Sequence, residues 1–314
     1  MHIPDGFLDA KTLALSGALA LGALALAVRT AQRNLPPRRV PLIGITAAFV
    51  FAAQMLNFPV AGGTSGHLLG GVLAATMVGP SAAVLVITCV LIIQAFLFAD
   101  GGILALGANV FNMAIVGTIG GYGIYWLVRR VASGLRGQLM AAAFAAWCSV
   151  VLAAGSCAAQ LAFSGTVAWT LVLPVMTGIH MLIGIGESLI TALVLLAVAR
   201  TRPELLTEIA DGHKGLLWER LAFGLLIALG LAVFAAPFAS RKPDGLEYVA
   251  QVQRFEHKAV EKNIVPAPLP DYTIRGISSP GMATALAGGI GTVLMFGFAF
   301  LLARALLQNK SHAS

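Results

Sequence analysis

The sequence predicts an all-α protein built into a membrane, and three observations carry that prediction. Of its 314 residues 58% are hydrophobic and only 11% charged, against about 25% charge in soluble domains. With a mean hydropathy of +0.88, the chain cannot cover its own surface with polar groups, so its solvent must be lipid. The apolar residues fall into runs near the ~20 that a helix needs to cross the hydrocarbon. The basic residues behind the net charge of +7 sit at the ends of those runs, which is a topology signal and not a nucleic-acid surface. Disorder, a secreted disulfide scaffold and a cytosolic enzyme are excluded. Cys89, Cys148 and Cys157 lie inside apolar runs without metal-type spacing and read as packing.

Taken in order, the chain opens Met1-His2-Ile3-Pro4-Asp5-Gly6, with no basic residue ahead of the first apolar run. A signal peptide would start the other way, so the beginning reads as a retained, functional end. Spans are predicted over 12–28, 40–58, 82–98, 103–128, 138–163, 167–199, 216–238 and 282–307. A ninth segment, 67–78, is apolar but short. Gly79-Pro80 divides it from its successor, because proline removes a donor and restricts the residue before it. Such a piece is tolerated only where protein surrounds it. The architecture is thus a seven-helix core with a short, atypical third helix (1–210) and a two-helix appendage (215–314). The stretch 200–219 is a cytoplasmic linker, and the proline-bearing 239–279 an external loop. No internal repeat supports an inverted-repeat transporter.

Orientation follows from the cations. Arg29, Arg33, Arg38, Arg39, Arg129, Arg130, Arg136, Arg200, Arg202, Lys214, Arg220, Arg304 and Lys310 all fall on one side if the short third segment counts as a crossing. The positive-inside rule then puts the N-terminus outside and the C-terminus in the cytoplasm.

Polar groups within the membrane are the first functional candidates. His180 and Glu187, two turns apart in the seventh span, read as a buried pair bonding neighbouring helices, ahead of a transport role. His213, His257 and His312 read as solvated surface. His2 and His67 differ, since both lie on the outer side and His67 follows the glycine-rich Ala61-Gly62-Gly63-Thr64-Ser65-Gly66. The free amine of Met1, the backbone nitrogen of His2 and its Nδ1 can close a five- and a six-membered chelate ring on one ion. His67 can fill the fourth corner of the square. Planar nitrogen coordination suits Ni(II) or Cu(II) better than Zn(II).

Met1 to Leu8, Asn57-Phe58-Pro59-Val60 running into Gly62-Gly63-Thr64-Ser65-Gly66-His67-Leu68-Leu69-Gly70-Gly71, and Asp100-Gly101-Gly102 leading to Gly107-Ala108-Asn109-Val110-Phe111-Asn112-Met113 closely resemble the CbiM/NikM family. Its members are substrate-binding S-components of energy-coupling factor importers for cobalt and nickel. The resemblance covers roughly residues 1–210. It implies that the amine of Met1, His2 and His67 hold the transported ion. It also implies a transmembrane coupling protein and a pair of cytoplasmic ATPases as partners. Pro243-Asp244-Gly245-Leu246-Glu247 resembles the PDGLE domain, related to the small CbiN/NikN subunit. That fusion leans towards nickel.

Around the ion, Asp5, Asn57, Thr64, Ser65 and Asp100 are the expected supporting residues. Asp5 and Asp100 act either on a ligand imidazole or as turn residues, and Asn57, Asn109 and Asn112 as loop ties. The external loop is expected to gate access. Ala14-x-x-x-Ala18, Gly66-x-x-x-Gly70 and Gly117-x-x-x-Gly121 are small-residue patterns that allow close helix packing. No Gly-x-x-x-x-Gly-Lys-Ser/Thr loop is present, so ATP hydrolysis falls to partners. Two rivals remain. A self-sufficient secondary metal transporter would couple through Glu187. An intramembrane metalloenzyme would use His180 and Glu187, without the His-Glu-x-x-His string such enzymes carry.

Overall fold

A computed structural model describes residues 1–205, 214–260 and 264–308. His213, His312 and part of the expected linker lie outside the described residues. The first helix, α1 (Ala10–Asn34), starts where the Asp9 side chain accepts from Thr12 N at 2.9 Å, satisfying one of the four free donors of a helix start. After α2 (Val40–Gln54), the strands β1 (Phe58–Pro59) and β2 (Ser65–Gly66) pair antiparallel, Phe58 opposite Gly66. This small hairpin leads to His67 and then to α3 (Gly71–Val78).

Next, α4 (Pro80–Ile93) ends in a wider π turn, Gln94–Phe98. Helix α5 (Leu106–Asn109) runs through a π-helical stretch, Val110–Gly120, into α6 (Gly121–Arg129). Two long helices, α7 (Gly134–Phe163) and α8 (Trp169–Thr201), lie antiparallel, with Trp147 Nε1 bonding Met181 O and Ser188 Oγ bonding Ala143 O. In the C-terminal part, α9 (Lys214–Gly230) continues to Phe238, α10 (Gly245–Val252) lies in the connecting loop, and α11 (Pro280–Gln308) closes the chain.

Among the described residues six helices are long and apolar enough to cross a membrane: Ala10–Asn34, Pro80–Phe98, Leu106–Arg129, Gly134–Phe163, Trp169–Thr201 and Pro280–Leu306. The second predicted span is shorter than read, because α2 ends at Gln54 and the chain turns into the hairpin. At eight residues, or about 12 Å at 1.5 Å per residue, α3 cannot cross alone. It leads inward from the hairpin end. Gln54, at the end of α2, bonds the carbonyl of Leu69 just ahead of α3, and α4 returns to put Gln94 beside His2. The reversal is made at Gly79, whose φ of 87° favours glycine.

The helix ends therefore sort cleanly. The starts of α1, α5 and α8 and the ends of α2, α4 and α7 gather around the N-terminus. At the opposite end Gln32 of α1 bonds Leu306 O of α11, and alternation of the spans puts Arg29, Arg33, Arg129, Arg130, Arg136, Arg200 and Arg304 there. The appendage docks on α2 through close contacts. A Cβ on Gly44 would meet Phe296, and one on Gly224 would meet Ile45. All three cysteines are free, Cys89 and Cys157 buried.

Two expected patterns change meaning. Gly66 and Gly70 are not on a helix, since Gly66 ends β2 and Gly70, at φ 77°, precedes α3. Gly117 and Gly121 face Leu69 and Val72 of the same chain, so that pair serves internal packing.

Candidate metal centre

The first residues form an extended segment that runs into the helix bundle and is held at every step. Ile3 N donates to Asn109 Oδ1 at 2.8 Å, and Asn109 Nδ2 returns a bond to Ile3 O at 3.0 Å. Gly102 N also reaches Ile3 O, at 2.9 Å. Asp5 Oδ1 accepts from Ala105 N at 3.0 Å, and Thr166 Oγ1 donates to Phe7 O. Gly102 has to be glycine: a Cβ there would lie 2.0 Å from Asp5 Oδ1 and 2.4 Å from its backbone nitrogen. Met1 and Ile3 are in consequence buried.

That tether delivers the Met1 amine to 2.8 Å from His67 Nε2. The ring of His2 stacks on that of His67, centroids 5.1 Å apart and planes 20° apart. His67 Nδ1 lies 3.0 Å from Leu68 O, so it donates to that carbonyl and leaves Nε2 with its lone pair towards the amine. Behind His67, Glu187 accepts from Leu69 N at 2.5 Å and Gly70 N at 2.8 Å. Glu187 and His180 are thus not partners. Glu187 fixes the backbone after His67, while His180 Nδ1 bonds Met176 O at 2.7 Å on its own helix.

His2 does not aim its Nδ1 at the amine. Nδ1 lies 3.0 Å from Asp100 Oδ1, and Nε2 lies 3.1 Å from Gln94 Oε1. Tyr272, from the external loop, donates to Asp100 Oδ2 at 2.6 Å and accepts from Gln94 Nε2 at 3.2 Å. Burial pushes the Asp100 carboxyl up, but the His2 ring and the Tyr272 hydroxyl outweigh it and hold the group well below the usual carboxylate range. Burial and the Asp100 carboxylate together push the Tyr272 phenol well above its ordinary value. Closing the six-membered chelate ring requires His2 Nδ1 to leave Asp100.

The main residue that sequence reasoning missed is Asp244. Its Oδ2 lies 2.5 Å from the Met1 amine and 4.0 Å from His67 Nε2. Burial opposes the charge, yet the amine and His67 outweigh it and keep the carboxyl well below its ordinary range. The same side chain starts α10 in a reciprocal cap, with Glu247 N bonding Asp244 Oδ1 at 2.8 Å and Asp244 N bonding Glu247 Oε2 at 2.9 Å. In the sequence Asp244 was legible only within the 243–247 signature, without its cap or its role at the amine.

The other expected supporting residues sort as follows. Asp100 touches the His2 ring, whereas Asp5 anchors backbone and meets no imidazole nitrogen. Thr64 Oγ1 bonds Pro243 O at 3.0 Å and Ser65 Oγ bonds Lys242 O at 2.8 Å, so both clamp the strand that carries Asp244. The Asn57 carbonyl accepts from Ser240 N at 2.7 Å. Asn109 ties the N-terminal segment, but Asn112 ties helices: it bonds Gln160 and Ser156 of α7, and Gln160 reaches Ser16 of α1.

A buried terminal amine, two imidazoles and two carboxylates thus meet at one end of a polytopic helical bundle, the fold of an integral membrane protein. Residues 2–205 match the family model described as cobalt uptake substrate-specific transmembrane region, CbiM, and residues 218–308 match the PDGLE domain. The chain belongs to the CbiM family, in a form fused to a PDGLE domain. It is 37% identical to the putative fused nickel transport protein NikMN of Archaeoglobus fulgidus, over 97% of this chain and 98% of that one. It is 30% identical to the fused nickel transport protein NikMN of Rhodobacter capsulatus, over 94% and 95% of the two chains. A crystal structure of a truncated transition metal transporter aligns with a TM-score of 0.58 at 35% identity, covering 64% of this chain and 99% of that one.

Proposed function

We propose that this chain is the substrate-binding component of an ATP-driven energy-coupling factor importer for divalent nickel or cobalt, with capture at the N-terminal nitrogens. One observation carries the reading: the Met1 amine is buried at 2.8 Å from His67 Nε2 with the His2 ring stacked alongside. A buried amine is costly unless it is paired, and here a long tether is spent on putting it there.

The ion is held by the Met1 amine, the backbone and ring nitrogens of His2, and His67 Nε2. The Glu187-pinned backbone sets the direction of His67, and Asn109 sets that of the Met1–Ile3 strand. His2 exchanges Asp100 for the ion through a turn of its ring. Charge balance permits the exchange. An ammonium presents +1 to Asp244; a divalent ion on a deprotonated amide also presents a net +1. Asp244 is therefore compatible with both occupants, and the loop 239–279 closes over either. The positive-inside rule puts this end outside and the C-terminus in the cytoplasm. A transmembrane coupling protein and a cytoplasmic ATPase pair then supply the energy. Glu187, the carboxylate a self-sufficient secondary transporter would need for coupling, is engaged instead in holding two backbone N–H groups behind His67.

The test is titration of the purified, untagged chain with Ni(II) and Co(II), against the same chain with its terminal amine acetylated and against His67→Ala. A single tight site weakened by about 100-fold or more in both is expected, a lost nitrogen being worth about 3 kcal/mol. Undiminished binding in the acetylated chain would overturn the reading.

A further inference from the structure

Beside the Met1–His67 pair lies a cavity of about 20 Å³ whose walls include Met1, His67, Val150, His180, Ile183 and Gly245. It is large enough for a water or a small ion. Four buried side-chain polar atoms lack a partner among the described residues, and of these only His180 Nε2 belongs to a residue lining this cavity. His180 is 2% exposed. A buried lone pair left unbonded is a cost that native structures rarely carry without reason.

His180 is prepared in the same way as His67. In each ring Nδ1 donates to a backbone carbonyl, Met176 O at 2.7 Å for His180 and Leu68 O at 3.0 Å for His67. That bond fixes the tautomer, and it is the usual support of a metal-binding imidazole. His67 Nε2 then faces the Met1 amine. His180 Nε2 faces Gly245, which follows Asp244, and a Cβ on Gly245 would come within 2.7 Å of His180 Cε1 and 2.8 Å of Nε2. The C-terminal domain thus covers the amine with a carboxylate and the second imidazole with a residue that has no side chain.

The geometry points to His180 Nε2 as a second nitrogen position for the transported ion, across the cavity from the terminal amine and shared with His67. This inference rests on the terminal-site reading. An ion that leaves the amine keeps His67 and gains His180, so it is not stripped of nitrogen ligands in an apolar wall. Helix α8 carries both His180 and the Glu187 that pins the backbone after His67, so a displacement of that one helix moves both imidazoles of the second position.

The experiment uses the full chain and Ni(II) alone, in four forms: native start, acetylated terminal amine, His180→Gln, and the acetylated amine with His180→Gln. The acetylated chain is expected to keep a weakened site made of imidazoles, and His180→Gln in that background to weaken it about 10-fold or more further. Gly245→Ala in the acetylated chain, which pushes a methyl onto the ring from the other domain, is expected to weaken the same residual site by at least ~3-fold. X-ray absorption on the acetylated chain should report one histidine ligand fewer with His180→Gln. If the residual site and its histidine count are unchanged by His180→Gln, the second position is overturned and the terminal site stands. If acetylation costs no affinity in the otherwise native chain, the terminal-site reading fails instead.

Discussion

Around the N-terminus the two parts of the chain bring different chemistry to one place. The part up to residue 205 supplies the proposed nitrogen donors: Met1, His2, His67 and His180. The part from residue 214 supplies a carboxylate, Asp244, a phenol, Tyr272, and a cover. The first is built to hold a position, with Asn109, Gly102 and Ala105 bonding the N-terminal segment from one side and Glu187 fixing the His67 backbone from another. The second is laid over it through a few discrete bonds, among them Thr64 and Ser65 to Pro243 and Lys242, Val260 N to Asp5 O at 2.9 Å and Leu269 N to Leu97 O at 2.9 Å. Affinity should therefore follow the first part and enclosure the second.

That division can be broken or sharpened by substitution. The largest effect is expected from Gly102→Ala, whose methyl has no room beside Asp5. The N-terminal segment must withdraw, and Ni(II) affinity should fall by about 100-fold or more, beyond the range seen for supporting residues, with the helical circular dichroism retained. Asn109→Ala removes two bonds to the backbone of Ile3 without blocking the path. A loss of about 10- to 100-fold is expected by the same titration.

Asp244→Asn is the sharpest test of the comparison. Because the ammonium and the chelated ion present the same net charge, Ni(II) affinity should shift by no more than ~3-fold, under about 1 kcal/mol. Amide hydrogen exchange in α10 should nevertheless quicken, since the ion pair that seats its first turn is gone. A large loss of affinity would make the second part a direct participant in binding. Ser65→Ala sits at the small end. It deletes the hydroxyl bond to Lys242 O and should loosen the cover by about 1 kcal/mol, read as faster limited proteolysis within 239–260.

Much of the fold was legible because the bilayer imposes its own ruler. Helices such as Gly134–Phe163 and Trp169–Thr201 follow from apolar run length, and their ends from the arginines beside them. The short third helix was legible as an anomaly, from Gly79-Pro80, although its starting point at Gly71 was not. The reason is that 66–70 is shaped by bonds from Glu187 and Gln54, far away in sequence. The candidate nitrogens Met1, His2 and His67 were legible from chelate chemistry, since two of them are adjacent along the chain. Asp5 sits in the turn before Gly6, one of its two expected readings, and bonds backbone and no imidazole, while Asn112 ties helices and not loops, because carboxylates and amides bond whatever polar group packing brings near.

What the sequence determined by itself was thus what depends on local order: which stretches must be helical in lipid, which helix ends share a side, and which donors can close small rings on one ion. The tertiary structure alone decided that Asp244 would meet Met1 across 243 positions, that His2 would turn to Asp100, and that His180, its Nε2 unbonded among the described residues, would line the same cavity as His67. Those contacts arise from packing between elements far apart in the chain, where no periodicity or spacing records which face meets which. Hydrogen bonds and ion pairs act over a few ångströms, so a small shift of one helix on another would rewrite them and leave the sequence pattern untouched.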